Sequence, residues 1–314
     1  MALTTLASRQ GHLHHVVAAQ QFSRPLLEAI FERTDEMRAD PSRAAGRLQG
    51  QVMAALFYEP STRTRLSFEA AMLRLGGRVM GTDNAREFSS AAKGETLEDT
   101  IRIVAGYADV IVLRHDEEGA AERAARVSDV PVINGGDGRG QHPTQALLDL
   151  YTIQDERGAI DGTRVAMVGD LANGRTVRSL TYLLAKFDGI DITFVAPPQV
   201  QMGEDLKTYL TERGVRWRET DDLDPVLPEV DVVYQTRIQK ERFRNPEDYL
   251  QVKGIYKIDA EAMRRLPERS IVMHPLPRVD EIAPEVDQDP RAAYFRQARN
   301  GMRVRMALLD LVLS

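Results

Sequence analysis

Apolar positions along the chain alternate between short unbroken runs and stretches of helical period. Gln51–Tyr58 is a compact apolar run of the kind a buried strand shows. Beyond it Phe68, Met72 and Leu75 recur at helical spacing until Gly76-Gly77 stops the pattern. The intervening Glu59-Pro60-Ser61-Thr62-Arg63-Thr64-Arg65 is therefore a tight strand-to-helix turn. An earlier helix runs from Pro25 to Met37 on Leu26, Leu27, Ile30 and Phe31, with Pro25 suited to its first turn, and Asp40-Pro41-Ser42 breaks it. Further short strands are predicted at 77–82, 108–113, 130–133, 163–168, 191–195, 215–218, 230–235 and 271–273. Helices are predicted at 95–107, 118–127, 142–155, 174–186, 202–213 and 288–313. Two polar stretches, 85–93 and 240–257, read as loops, the second long enough to move. Strands alternating with helices at this spacing predict an α/β fold of two doubly wound parallel-sheet domains, the second beginning near Asp161.

Composition narrows the function classes. The chain has 314 residues, room for two domains, and 43% of them are hydrophobic, enough for full-sized cores. Its formal net charge of −6 removes the basic footprint of a nucleic-acid-binding protein. Any anion site must then be a local cluster of positive charge. With no cysteine there is neither a disulfide framework nor a thiol nucleophile. The six histidines do not fall in metal-ligand spacing, so no metal is expected, and His12, His14 and His15 read as surface histidines of a loose terminus. No apolar run is long enough to cross a membrane, and residues 1–10 show no charged-then-apolar leader, which makes the cytoplasm the expected compartment. Val168-Gly169-Asp170-Leu171 lacks the Gly-x-Gly-x-x-Gly of dinucleotide sites, so no cofactor is expected.

Candidate chemistry gathers where strands end. Three hydroxyls and two guanidinium groups fall on Ser61–Arg65, where the free N–H groups and dipole of a starting helix already favour an anion. Arg63 can add a bidentate clamp, and the stretch reads as a phosphate cradle. The competing reading is an N-cap serine followed by solvated arginines. Arg114-His115 and the glycine-rich 134–145 loop also follow strands, so an open parallel sheet would bring all three to one edge. In the second unit Arg175 and Arg237 follow separate strands, although either could form a surface ion pair. Glu59 beside an anion cradle requires a cationic partner.

Seven motifs carry a resemblance that covers nearly the whole chain. They are Ser61–Arg65, Lys93–Thr96, Arg114-His115, His142-Pro143-Thr144-Gln145, Gly174–Val177, Thr236–Arg242 and His274-Pro275-Leu276-Pro277-Arg278. In order and approximate spacing they resemble the transcarbamoylase family, on its aspartate carbamoyltransferase branch. The ornithine branch typically shows His-Cys-Leu-Pro and Ser-Met-Gly, where this chain has His-Pro-Leu-Pro and Thr-Arg-Ile-Gln.

The resemblance implies transfer of a carbamoyl group from carbamoyl phosphate to the amine of L-aspartate, an early step of pyrimidine biosynthesis, in a cleft between two domains. It implies that Ser61, Thr62, Arg63 and Thr64 bind the phosphate, that Arg114 bridges phosphate and carbonyl, that His142 bonds the carbonyl oxygen and that Gln145 holds the carbamoyl NH₂. Arg175 and Arg237, assisted by Gln239, would hold the aspartate carboxylates, and backbone carbonyls of Leu276 and Pro277 would receive its amine. Ser89 and Lys93 would reach into a neighbouring subunit's site, which implies a homotrimer with shared active sites. Glu59 would bridge to Arg175 and Arg242 when the domains close. Residues 1–150 with the C-terminal helix 291–314 would bind carbamoyl phosphate, and residues 151–290 aspartate. Alternatives are an ornithine-type enzyme or a catalytically silent homologue acting as a structural partner. A regulatory chain or another pyrimidine-pathway enzyme is a compatible partner. The turn Ala172-Asn173 departs from the Lys-Tyr of some relatives.

Overall fold

The computed structural model describes residues 8, 9, 12–88, 90–238, 247, 252 and 254–314. The chain divides into two compact units, one of residues 1–148 and 299–314, the other of residues 149–298.

In the first unit a two-residue ribbon, β1 (Ser8–Arg9) and β2 (His12–Leu13), precedes helix α1 (Arg24–Ala39). Ser23 caps α1, its hydroxyl accepting the Leu26 N–H, and Pro25 lies in the first turn where no N–H is missed. Then come β3 (Val52–Phe57), α2 (Thr62–Arg74), β4 (Arg78–Asp83), the short α3 (Ala85–Phe88), α4 (Leu97–Ala105), β5 (Val110–His115), α5 (Ala120–Val127), β6 (Val132–Asp137) and α6 (Pro143–Arg157). The four strands β3 to β6 form a parallel sheet in the order β4-β3-β5-β6. Its switch point lies between β3 and β5, because the chain leaves β3 for β4 on one side and returns to β5 on the other.

The second unit continues with β7 (Arg164–Val168), α7 (Arg175–Leu184), β8 (Asp191–Val195), α8 (Glu204–Glu212), β9 (Arg216–Thr220), β10 (Val232–Gln235), α9 (Ala260–Arg265) and β11 (Ile271–Met273), and the last helix, α10 (Tyr294–Leu313), starts in it and belongs to the first unit from residue 299 on. Its sheet is parallel in the order β11-β10-β7-β8-β9, with a switch point between β7 and β10. Buried on both faces, β7 and β10 read as continuous apolar runs. Their starts are pinned together by Asp231, which accepts from the Arg164 backbone N–H at 2.9 Å and from its guanidinium at 3.1 Å.

Four sequence expectations change. The stretch at 85–93 is not plain loop but α3 followed by a 3₁₀ turn, Ser90–Lys93. β6 runs on through Gly135 and Gly136, which had looked like loop. α9 lies where no element was predicted. The last helix starts at Tyr294 rather than 288, because Ala292 and Ala293 bridge to the exposed edge of β11 instead of winding. The loop reading of 240–257 falls mostly outside the described residues.

One N-terminal histidine also differs from expectation. His15 is buried, and its Nδ1 accepts the Val132 N–H at 3.1 Å. Val16 pairs with β6, donating to the Val132 carbonyl at 2.8 Å and accepting from Asn134 at 2.7 Å. The segment thereby covers a sheet edge. Gln21 locks it from behind, its amide bonding the His15 carbonyl and the Val17 and Ala18 N–H groups. Near the other end of the chain, Asp310 of α10 pairs with Arg47 at 2.5 Å, and the buried Arg305 donates to Ser67 at 2.6 Å and lies over the Phe68 ring.

Candidate active site

The buried run of β3 delivers the chain to Ser61, the N-cap of α2. A serine there ordinarily turns its hydroxyl onto the second or third N–H of the helix. Ser61 makes no such bond, so the leading N–H groups of α2 have no side-chain cap and keep their preference for an anion. Thr62 and Arg63 are exposed and Thr64 is buried beneath them. Surrounding protein desolvates the Arg63 guanidinium and lowers its pKa, although much of the side chain still faces solvent. It remains a cation at neutral pH, in a setting that favours a bound counter-charge. Arg65, the second arginine of the turn, pairs with Glu69 at 2.6 Å one helical turn on.

Arg114, next to last in β5, lies directly opposite Phe57 in the sheet register, so the switch point itself brings it beside the cradle strand. Its carbonyl accepts the Tyr58 N–H at 2.9 Å. Its guanidinium contacts Glu59 at 2.8 Å and the Gly135 carbonyl at 3.2 Å, and it is only 11% exposed. The carboxylate that looked misplaced beside an anion cradle therefore orients Arg114. The other end of the expected Glu59–Arg242 bridge lies outside the described residues. Opposite Arg114 the register of β6 shifts, with Gly135 and Gly136 taking up the extra residue of a bulge. At Gly136 φ is +113°, which suits glycine.

The loop that follows is built around buried Asp137. Its carboxylate accepts the Gly119 and Gln141 N–H groups at 2.9 and 2.8 Å and the Asn134 amide at 3.1 Å. This fixed loop leads to buried His142 just ahead of α6, whose carbonyl accepts the N–H groups of Gln145 and Ala146, both at 3.1 Å. Sequence reasoning missed Asp137 and Asn134, although an Asn-Gly-Gly-Asp turn is a recognisable signal. Lys93 is exposed at the end of its 3₁₀ turn. Ser89 lies outside the described residues.

In the second unit β7 and β10 end side by side. Gly169 follows β7 at φ +117°, and a Cβ there would lie 2.4 Å from the Thr236 carbonyl oxygen. Only glycine allows Thr236 to fold over the strand end, where its N–H and hydroxyl both reach the Val168 carbonyl. Arg237, the next residue, is thus carried out at the switch point, partly exposed. On the other side buried Asp170 holds the turn through Asn173, whose N–H and amide donate to it at 3.1 and 3.0 Å. Gly174 is the N-cap of α7 and Arg175 its first residue. Gln239 lies outside the described residues.

After β11 the chain passes through His274-Pro275-Leu276-Pro277, with a cis bond before Pro277 and Leu276 at φ +54°. Beneath it a buried network joins four elements: the Tyr234 hydroxyl and the Gln297 amide both donate to Asp149 at 2.6 Å, and Gln297 accepts the His274 N–H at 2.9 Å. Burial, with Asp149 adding to it, pushes the Tyr234 phenol well up, so it acts as a fixed donor. Arg278 pairs with Asp287 and with the Tyr294 hydroxyl.

The first unit thus presents helix N–H groups, Arg63 and a braced Arg114 at one switch point, and the second presents Arg175, Arg237 and a strained turn at another. No group of His, Asp and Glu among the described residues could hold a metal ion. No described helix is long and apolar enough to cross a membrane.

The family model described as "Aspartate/ornithine carbamoyltransferase, carbamoyl-P binding domain" matches residues 14–155, and that described as "Aspartate/ornithine carbamoyltransferase, Asp/Orn binding domain" matches residues 161–312. The chain is 62% identical over 309 residues to a chloroplastic aspartate carbamoyltransferase of Oryza sativa subsp. japonica, covering 96% of this chain and 85% of the relative. It is 51% identical to an aspartate carbamoyltransferase catalytic subunit of Methanocella arvoryzae over 96% of this chain and 97% of that one. Among solved structures it is similar to aspartate transcarbamoylase from Trypanosoma cruzi in complex with carbamoyl phosphate and aspartate, with a TM-score of 0.90 and 45% identity over 96% of this chain and 97% of that one. The catalytic subunit of M. jannaschii aspartate transcarbamoylase superimposes with a TM-score of 0.89 at 47% identity, covering 96% of this chain and 98% of that one.

Proposed function

The chain belongs to the aspartate/ornithine carbamoyltransferase family, and from that premise we propose how its two half-sites perform the aspartate reaction. The enzyme is an aspartate carbamoyltransferase: it moves the carbamoyl group of carbamoyl phosphate to the amine of L-aspartate, yielding N-carbamoyl-L-aspartate and phosphate. The observation that carries the role of the first unit is the uncapped start of α2 beside the braced Arg114. Ser61, Thr62, Arg63 and Thr64 hold the dianionic phosphate. Arg114 spans phosphate and carbonyl oxygen, His142 bonds that oxygen and Gln145 takes the carbamoyl NH₂. Arg175 and Arg237 hold the two carboxylates of aspartate, with Gln239 assisting, and the Leu276 and Pro277 carbonyls direct its amine.

The neutral amine attacks the carbonyl carbon and forms a tetrahedral oxyanion. The C–O bond to phosphate then breaks, and the departing phosphate takes the proton lost by nitrogen. Donors fixed before the reaction stabilise that charge without reorganising. Two guanidinium groups for the acceptor, and relatives that bear the aspartate name, favour aspartate over ornithine. Carbamoyl phosphate binds first. Ser89 and Lys93 act in the site of a neighbouring copy, so the working unit is a homotrimer.

The test is a carbamoyl-transfer assay on the purified chain with L-aspartate or L-ornithine. Carbamoyl-aspartate is expected. Citrulline would overturn the assignment of Arg175 and Arg237. Mixing Lys93→Ala with His142→Ala chains should restore part of the activity that neither has alone, and no recovery in a verified mixed trimer would exclude shared sites.

A further inference from the structure

Leu276 adopts a left-handed backbone conformation, φ +54°, that a leucine rarely takes and that is strained. Something must hold it there. Its N–H donates to the Nδ1 atom of His274, two residues earlier, at 2.7 Å. An N–H cannot accept, so Nδ1 must offer its lone pair and the ring proton must reside on Nε2. That nitrogen lies 2.7 Å from Glu281 Oε1 and donates to it. The second Glu281 oxygen accepts the N–H groups of Val279 and Asp280, each at 3.1 Å. Burial pushes the Glu281 carboxyl up, but the bond from His274 and those from the backbone outweigh it and leave its pKa below the usual range. A charged Glu281 therefore fixes which nitrogen of His274 accepts the Leu276 N–H.

The ring is closed in on every side. His274 is 2% exposed, and its backbone N–H is held by Gln297. A group so enclosed has no open atom for a substrate proton. We infer that His274 is a positioning residue, whose Nδ1 holds Leu276 in its strained conformation and so aims the backbone carbonyls that receive the acceptor amine. This inference rests on the aspartate-binding role proposed for Leu276 and Pro277. Displacing those carbonyls by about an ångström costs up to a hundredfold in rate.

Three substitutions separate the two ring nitrogens. In His274→Asn the side-chain oxygen stands the same number of bonds from Cα as Nδ1 and accepts the N–H two residues on, as asparagine does in turns. In His274→Gln the amide reaches the place of Nε2 and serves Glu281 instead. His274→Ala serves neither. The expected result is a ten- to hundredfold loss of kcat/KM for aspartate in His274→Ala and His274→Gln, recovery to within about fivefold in His274→Asn, and a Kd for carbamoyl phosphate within twofold of wild type throughout. Rescue by glutamine and not asparagine would overturn the inference, since the Glu281 contact alone would then matter. Equal losses in all three variants, or a parallel loss of carbamoyl phosphate binding, would also overturn it. A wild-type chain inert toward aspartate fails the underlying reading, whereas an active wild type with an indifferent His274→Ala fails this inference alone.

Discussion

Single residues divide by whether their neighbours in sequence or in space define them. Arg63 could be proposed as an anion ligand from sequence because hydroxyls, a helix start and its own guanidinium all fall within one turn. Arg63→Ala removes a desolvated cation from the proposed phosphate cradle, and kcat should fall about a hundredfold or more while the melting temperature holds. Steady-state phosphate release checks this, and a change confined to KM would mean binding without catalysis. His15 was not legible. Its partner is a backbone N–H 117 positions away, and a histidine near a terminus gives no sign of such a bond. His15→Ala strands that N–H and should cost about 1–3 kcal/mol, seen as a lower urea midpoint. Glu59 shows the intermediate case. Its need for a cation followed from charge alone, but that Arg114 meets it followed only from the register of β3 against β5.

At the level of elements, the alternation of apolar runs and helical period located the strands and helices because each buries a defined face. It failed where pairing with a distant edge overrode local pattern. Ala292 and Ala293 look helical, yet they satisfy β11 instead, and helix α10 starts later for that reason. Tight turns carry their own test. Gly169 and Gly158 both have positive φ, but a Cβ at Gly169 meets the Thr236 carbonyl at 2.4 Å, and at Gly158 it meets nothing within 4 Å. Gly158→Ala should cost about 1 kcal/mol. Gly169→Ala should cost about 3 kcal/mol or more and displace Arg237 with it. Paired thermal melts decide, and equal shifts would show that the β7–β10 junction yields more easily than its packing implies.

For the whole molecule, the two-sheet fold was legible from the order of elements, and the aspartate chemistry from motifs spread over both units. The bracing carboxylates were not, because acidic residues on a surface and in a scaffold look alike in sequence. Several lie in the second unit. Arg178, Arg278 and Arg291 hold Asp205, Asp287 and Asp289 below the usual carboxylate range. Burial raises Asp231, but its bonds to Arg164 outweigh that, and Glu281 behaves likewise with His274. Depressed carboxylates contribute stability that is present above their ordinary pKa and lost as protons reach the folded-state value. Protection from hydrogen exchange in residues 149–298, corrected for intrinsic rates, should therefore hold to about pH 5 and decline below about pH 4. A flat profile through that range would show that these pairs contribute nothing net. The Arg47–Asp310 bond has a consequence of another kind. Its partners are 263 residues apart, and both belong to the first unit. At roughly 5–20 residues per second, a ribosome needs about 13–53 s to make the chain between them. Through that interval the first unit waits unfinished while the second is synthesised in full, so the unit begun first is the last to close.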